Sequence, residues 1–203
     1  MHDVQAARGT PLTGDGSPDG FARDTTTSGA RPRLLMAAVA LVAYVLDVGT
    51  KIWAVEHLTG REPLNVVGDL LRFNLTRNPG AAFSTGTGLT LALSSLAVVA
   101  VVVILWVGRR VGTRLWALAL GLLLAGVGGN LTDRLFRAPG PMRGHVVDFM
   151  QLPHWPIFNV ADICIDTGVA LIVLQALRGI AIDGRRTGHE EEQDGDLEPE
   201  GTP

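Results

Sequence analysis

Carboxylates, carboxamides and a few basic groups, set into an otherwise oily chain, are the residues with chemistry to offer. They gather in Gly128-Gly129-Asn130-Leu131-Thr132-Asp133-Arg134, in Val146-Val147-Asp148-Phe149 and in Phe158-Asn159-Val160-Ala161-Asp162, between two segments apolar enough to lie in a bilayer. Two aspartates within hydrogen-bonding distance cannot both ionise cheaply, so they share one proton. The ionised member can then take a proton from water while the protonated member polarises a carbonyl. That is peptide hydrolysis with neither a covalent intermediate nor a metal. Asp148 and Asp162 are the candidate pair: a Val-Val run leads into the first and would hold it rigidly, and the second opens a helix, where the dipole favours negative charge. Asp133 competes for a place, although an ion pair with the adjacent Arg134 is its plainer reading.

Other chemistries have less to work with. No serine is placed for a triad, and His145 and His154 lie in a loop without a nucleophile beside them. The single cysteine, Cys164, sits in an apolar run with nothing basic nearby to activate it, so it reads as a small buried hydrophobe and rules out a disulfide framework. A metal site from His145, Asp148 and His154 matches no HExxH-type spacing. Two readings stay open beside the aspartate pair. One is a membrane metallopeptidase using the two histidines. The other is a non-enzymatic assembly or transport subunit whose buried charges line an ion path, although the chain shows no internal repeat and no pair of broken helices.

The elements that must position these residues follow from composition. The chain has 203 residues, 47% hydrophobic and 18% charged, with the apolar residues in blocks, which points to a small polytopic membrane protein. A net charge of −3 with scattered basic residues argues against nucleic acid as a partner. Residues 1–30 and 187–203 have too few apolar groups to offset the entropy of ordering, so a disordered N-terminal tail and a disordered acidic C-terminal tail should flank a four-span domain over 31–186. Residues 1–30 lack the basic start and small-residue cleavage site of a signal peptide, so the first span should stay attached. Leu34 to Leu46 is apolar but only thirteen residues long, and a span needs about 20. The first helix must therefore run on through Asp47, Thr50 and Lys51 to Val55, with Asp47 and Lys51 four apart on one face and able to pair. Leu89 to Val107 is the second span. The third starts at Leu115 and must continue through Asn130 toward Asp133, and Ala125 and Gly129 make it a small-xxx-small surface for a neighbour. The fourth runs from about Asn159 to Leu177, with Asp162 and Asp166 in its first two turns. Asp166 either pairs with Lys51 or faces water. Between the first two spans, residues 58–88 carry turn signals at Val67-Gly68-Asp69 and Asn78-Pro79-Gly80 and should form short strands at the membrane surface. Residues from about Phe136 to Phe158 read as a loop.

Arginines before the first span (Arg31, Arg33), between the second and third (Arg109, Arg110, Arg114) and after the fourth (Arg178, Arg185, Arg186) fall on one face of a four-span protein. The positive-inside rule makes that face cytoplasmic, with both termini on it. Asp47, Lys51, Asn130, Asp133, Asp148, Asp162 and Asp166 then converge near the opposite surface. An ionisable residue at the centre of a span costs about 2.5–3.5 kcal/mol, so such a convergence is a functional candidate.

These residues resemble those of the type II signal peptidases, the bacterial prolipoprotein signal peptidases. The resemblance covers about Leu34 to Leu177. It rests on Asp47-Val48-Gly49-Thr50-Lys51, Asn78-Pro79-Gly80-Ala81-Ala82-Phe83, Gly129-Asn130-Leu131-Thr132-Asp133-Arg134, Val146-Val147-Asp148-Phe149 and Phe158-Asn159-Val160-Ala161-Asp162, in that order. It implies an all-α membrane protein with four transmembrane helices and a small extracytoplasmic β-cradle over residues 58–88. It further implies an aspartic peptidase of the bacterial plasma membrane with catalytic residues Asp148 and Asp162, and with Asp47, Lys51, Asn78, Asn130, Asp133, Arg134 and Asn159 shaping the site or holding substrate. No metal or other cofactor is implied. The implied substrate is a diacylglyceryl-modified prolipoprotein, cut just before its lipidated cysteine at the extracytoplasmic face and in contact with membrane lipid, and globomycin-type inhibitors are expected to bind. Four spans can enclose one site, so a monomer is expected. Two spacings depart from the family pattern: Arg137 to His145 lengthens the step from Asp133 to Asp148, and the step from Asp148 to Asp162 is short. Both differences fall in loops.

Overall fold

The computed structural model describes residues 30–80 and 89–186. Residues 1–29 of the N-terminal tail, the C-terminal tail, and Ala81, Ala82 and Phe83 of the second motif lie outside the described residues, while Ala30 already belongs to the first helix. Four helices are long and apolar enough to cross a membrane: α1 (Ala30–Leu58), α2 (Leu89–Gly108), α3 (Arg114–Phe136) and α4 (Val160–Leu177). The extension of α1 past Asp47 and Lys51 and of α3 past Asn130 and Asp133 is as the short apolar runs required. The strands β1 (Leu64–Val67), β2 (Leu71–Asn78) and β3 (Val146–Gln151) form one antiparallel sheet in the order β1-β2-β3.

β3 was not expected. Residues 136–158 read as a loop, yet Val146–Gln151 is a strand, because β2 offers it a partner: Asn78 pairs with Val146, Arg77 with Val147 and Thr76 with Asp148. The six-residue stretch Val-Val-Asp-Phe-Met-Gln, buried at Val146, Val147, Asp148 and Phe149, has no alternation to mark it as a strand. β1 and β2 meet at the expected turn, where Leu70 N–H donates to Val67 O and Gly68 has φ +48°.

α3 is the central helix and packs against the other three. Small residues make this possible. Gly121 lies against the Met36 backbone, and a Cβ at Gly126 would collide with the Ala161 carbonyl. The contacts Met36 to Gly121, Asp47 to Gly129 and Lys51 to Asp133 advance together along α1 and α3, so these two run in the same direction. Gly126 meets Ala161 and Ile165 while Gly168 meets Ala119 and Leu123, so α4 runs the opposite way. The C-terminal end of α1, the C-terminal end of α3, the N-terminus of α4 and the sheet are therefore at one end of the bundle. At the other end the chain after α4 folds over the α2–α3 turn: Gly112 N–H donates to Ile182 O, and Trp116 Nε1 donates to Ile180 O at 3.1 Å. Many of the exposed side chains on the helices are apolar, Leu41, Leu96 and Val102 among them, as a lipid-facing surface demands. Cys164 is buried and free.

Candidate active site

At the sheet end, α1 and α3 contribute a buried ionic cluster. Lys51 Nζ lies 2.8 Å from Asp47 Oδ2 and 3.2 Å from Asp133 Oδ2, and it donates to Asn130 Oδ1 at 2.8 Å. Lys51 thus faces two carboxylates and one amide oxygen, and Lys51 and Asp47 are wholly buried. Arg137 pairs with the other oxygen of Asp133. The expected Asp133 to Arg134 pair does not form, because adjacent helical residues point about 100° apart whereas residues four apart share a face. The possible Lys51 to Asp166 pair does not form either, since Lys51 is already fully engaged.

Each aspartate of this cluster also holds backbone. Asp47 Oδ1 accepts the Ala161 N–H at 2.8 Å, and Asp133 Oδ2 accepts the Val147 N–H at 3.1 Å. Ala161 directly precedes Asp162, and Val147 directly precedes Asp148. Gly129 permits the first of these, since a Cβ there would strike the Asp47 carboxylate.

Asp162 is fixed by the start of α4. Asn159 is the N-cap; its Oδ1 accepts the Asp162 N–H at 3.0 Å, and Asp162 Oδ2 accepts the Asn159 N–H at 3.1 Å. This capping box satisfies two of the amides that a helix start leaves open. Asn130 Nδ2 donates to the other oxygen, Asp162 Oδ1, at 2.9 Å. Asp148 stands on β3 opposite Thr76, so Asn78, two residues further along β2, is its diagonal neighbour on the same face. Asn78 Nδ2 donates to Asp148 Oδ2 at 3.0 Å, and Asn159 Nδ2 donates to Asp148 Oδ1 at 2.6 Å. Asn159 therefore touches both carboxylates. It is brought there by Phe158, which exchanges backbone hydrogen bonds with Met150 on β3. That bridge explains how so short a step from Asp148 to Asp162 closes.

No hydrogen bond joins the two carboxylates directly among the described residues, which differs from an aspartate pair sharing a proton at contact distance. They are close enough for their charges to interact. Burial pushes the Asp148 carboxyl up to about 6 and the Asp162 charge adds to this, while the Asn78 and Asn159 amides and the Lys51 charge pull it down. Both aspartates line a cavity of about 390 Å³. Asn78, Asn130 and Arg134 line it as well. Arg134 Nη1 is buried with no hydrogen-bond partner among the described residues. Its guanidinium passes Gly80, where φ is +109° and a Cβ would come within 3.2 Å of it; Gly80 is thus needed both for its own conformation and for Arg134 to enter. The Gly80 N–H donates to Asn78 Oδ1 at 2.9 Å, so the Asn-Pro-Gly turn also orients the amide that reaches Asp148.

Asp148, Asp162, Asp47, Lys51, Asn78, Asn130, Asp133, Arg134 and Asn159 all lie in this assembly. His154 lies in a different cavity with Asp69 and Arg72, and no group of three His, Cys, Asp or Glu side chains is arranged to hold a metal ion among the described residues. The sequence reading missed Trp155, Pro156 and Asp166 as lining of the Asp148 cavity, and Arg137 as an ionic partner. A tryptophan between prolines at the exposed tip of a loop, 63% exposed in the structure, was the available signal for the first two.

A family model described as signal peptidase (SPase) II matches residues 39–178. The chain is 43% identical over 188 residues to a lipoprotein signal peptidase of Mycobacterium tuberculosis, covering 92% of this chain and 93% of that one. It is 46% identical over 176 residues to a lipoprotein signal peptidase of Rhodococcus jostii, covering 87% and 88%. A solved structure described as a bacterial membrane enzyme superposes with a TM-score of 0.63 at 25% identity, over 70% of this chain and 92% of that one.

Proposed function

The chain belongs to the signal peptidase II family and removes signal peptides from prolipoproteins; we propose that it does so as an aspartic endopeptidase whose catalytic pair is Asp148 and Asp162. The observation that carries this reading is the cavity faced by both carboxylates, each held by two donors and each preceded by a residue whose backbone a buried aspartate holds.

Asp148, with its carboxyl raised toward neutrality, carries the proton and donates it to the carbonyl oxygen of the scissile bond. Asp162 takes a proton from the attacking water. The gem-diol intermediate collapses as Asp162 gives its proton to the departing amine of the lipidated cysteine and Asp148 takes one back from a gem-diol hydroxyl, which leaves the new carboxyl group on the signal peptide and restores the starting state. Arg134, which lines the cavity and keeps one guanidinium donor unused, holds a substrate carbonyl. Asn78, Asn130 and Asn159 orient the two carboxylates, and Asp47, Lys51 and Asp133 fix the backbone beneath them.

The sheet end of the bundle is the extracytoplasmic end, because the arginines before α1, between α2 and α3 and after α4 are at the other end. There a diacylglyceryl anchor lies in the bilayer while the scissile bond reaches the cavity. Four spans enclose one complete site, so the working unit is a monomer, and globomycin-type inhibitors occupy the same cavity. The test is cleavage of a diacylglyceryl-modified prolipoprotein peptide by the purified protein in detergent, with and without chelator. Asp148→Asn and Asp162→Asn each lower kcat by at least about 10³-fold while the protein stays folded, and cleavage by the wild type survives chelation. Retained cleavage in either variant would sink the assignment.

A further inference from the structure

Asp166 is a carboxylate in a membrane-spanning helix without the compensation its counterparts have. Asp47 and Asp133 are buried against Lys51 and Arg137. Asp166 is exposed, and none of the described residues hydrogen-bonds or ion-pairs with it. It does not simply face lipid, because it lines the same cavity as Asp148, Asp162 and Arg134. Its place is one turn further along α4 than Asp162, about 6 Å deeper into the bundle.

Placing an acid there is unfavourable unless something in the cavity compensates it. Two parts of the substrate can lie on the bundle side of the cut: the diacylglyceryl group and the apolar signal segment. Acyl chains and glycerol esters offer acceptors and no donors, so a carboxylate gains nothing from them. The peptide offers backbone N–H groups and, at some positions, hydroxyls, which a carboxylate accepts strongly in a site that excludes water. An extended strand advances about 3.3 Å per residue, so 6 Å corresponds to about the second residue before the cut.

We propose that Asp166 is a specificity-determining residue that receives the signal-peptide side of the substrate, accepting a donor from about the second residue before the cut and repelling acidic side chains there. This rests on the assignment of the cavity as the peptidase site. It makes the chain selective on charge at a position where the neighbouring lining, Ile163 and Trp155, is apolar.

The experiment is a scan of synthetic diacylglyceryl-modified prolipoprotein peptides in which glutamate or alanine stands at each of the four residues before the cut, with kcat/KM measured for the full-length wild type and for Asp166→Asn in detergent. Wild type discriminates against glutamate by about tenfold or more, the scale of a like-charge contact near a surface, with the largest effect at the second residue. In Asp166→Asn, which keeps the side-chain size and an acceptor, the ratio between alanine and glutamate peptides falls to within about twofold at that position. Asp166→Ala loses the acceptor as well and shows a raised KM for the alanine peptide. An unchanged glutamate penalty in Asp166→Asn at every position overturns the proposal. Asp148→Asn and Asp162→Asn are run beside it: if they still cleave, the underlying site assignment has failed rather than the role of Asp166.

Discussion

Asp47 and Asp133 differ from Asp148 and Asp162 above all in what surrounds the charge: Asp148 is as buried as the first two and Asp162 is part-buried. The inner pair shares Lys51 and Arg137, so two carboxylates are balanced by two cations. The outer pair is held by amides and backbone N–H groups, which orient a carboxylate without supplying a formal positive charge. Asn130 stands at the boundary: its oxygen accepts from Lys51 and from Asn159, and its nitrogen donates to Asp162. A neutralised acid is inert and rigid, whereas an acid held only by dipoles keeps its proton affinity adjustable. The inner pair anchors the backbone at Ala161 and Val147, and the outer pair is left free to exchange protons.

Breaking the inner region should produce the largest effect on stability. Lys51→Met removes the cation and leaves Asp47 and Asp133 buried with Arg137 alone. Removing one partner of a buried ion pair is destabilising by about 3–5 kcal/mol. Thermal unfolding in detergent should show a loss of that order, and Lys51→Met combined with Asp47→Asn should recover part of it, because the two changes act on one network. Simple additivity in this double-variant cycle would mean that the cluster is not the coupled unit described above.

The outer region should respond with the opposite sign. Asp148 has a folded-state value of about 6 against an ordinary 3.8, so the folded state holds its proton more tightly than the unfolded state. The stability this confers is fully present below about pH 4 and is lost as pH rises through 6. The displacement amounts to about 3 kcal/mol at most, at about 1.4 kcal/mol per pKa unit. Relative to wild type, Asp148→Asn should therefore gain stability by up to that amount between pH 4 and pH 8, whatever constant offset the amide introduces. A difference that stays flat with pH would show that Asp148 is no more strained in its ionised form than an exposed carboxylate. Losing charge thus weakens the inner region and relieves the outer one.

Much of this division is legible in the amino-acid sequence, and the illegible part has physical causes. The apolar runs in α1 and α3 are too short to cross a bilayer unaided, which forces Asp47, Lys51, Asn130 and Asp133 into helices. A four-span frame then brings them to the same end as Asp162. Pairing across elements is not readable in this way. Arg137 replaces Arg134 as the partner of Asp133 because helix phase, rather than adjacency, decides contact. β3 exists because β2 pairs with it, and nothing local in Val146–Gln151 distinguishes a strand from a buried loop. Asp166 stands out as an extra acid, but its membership of the cavity depends on how far the Trp155 loop leaves α4 open.

Thr90 and Ser94 interrupt the oiliest helix, and they show how far the outer region's support extends. Both are buried. Thr90 donates to the Pro79 carbonyl, next to Asn78, and Ser94 Oγ lies 2.7 Å from Met142 O and 2.8 Å from Thr90 O, donating its one hydrogen between them. Met142 has φ +64°, a conformation a non-glycine residue holds only with support from its surroundings. Through these contacts α2 grips two segments that support Asp148: the end of β2, which carries Asn78, and the long segment leading into β3. Ser94→Ala removes one buried hydrogen bond, a loss of about 1 kcal/mol, and Ser94→Thr should restore it. Because the contact is remote from the ionic cluster, the change should lower kcat less than tenfold, leave KM unaltered and add independently to Lys51→Met in stability. A stability loss with no change in kcat would mean that the 137–145 segment positions nothing in the site. A kcat loss rescued by threonine would extend the outer region to α2, which contributes no charged residue to it.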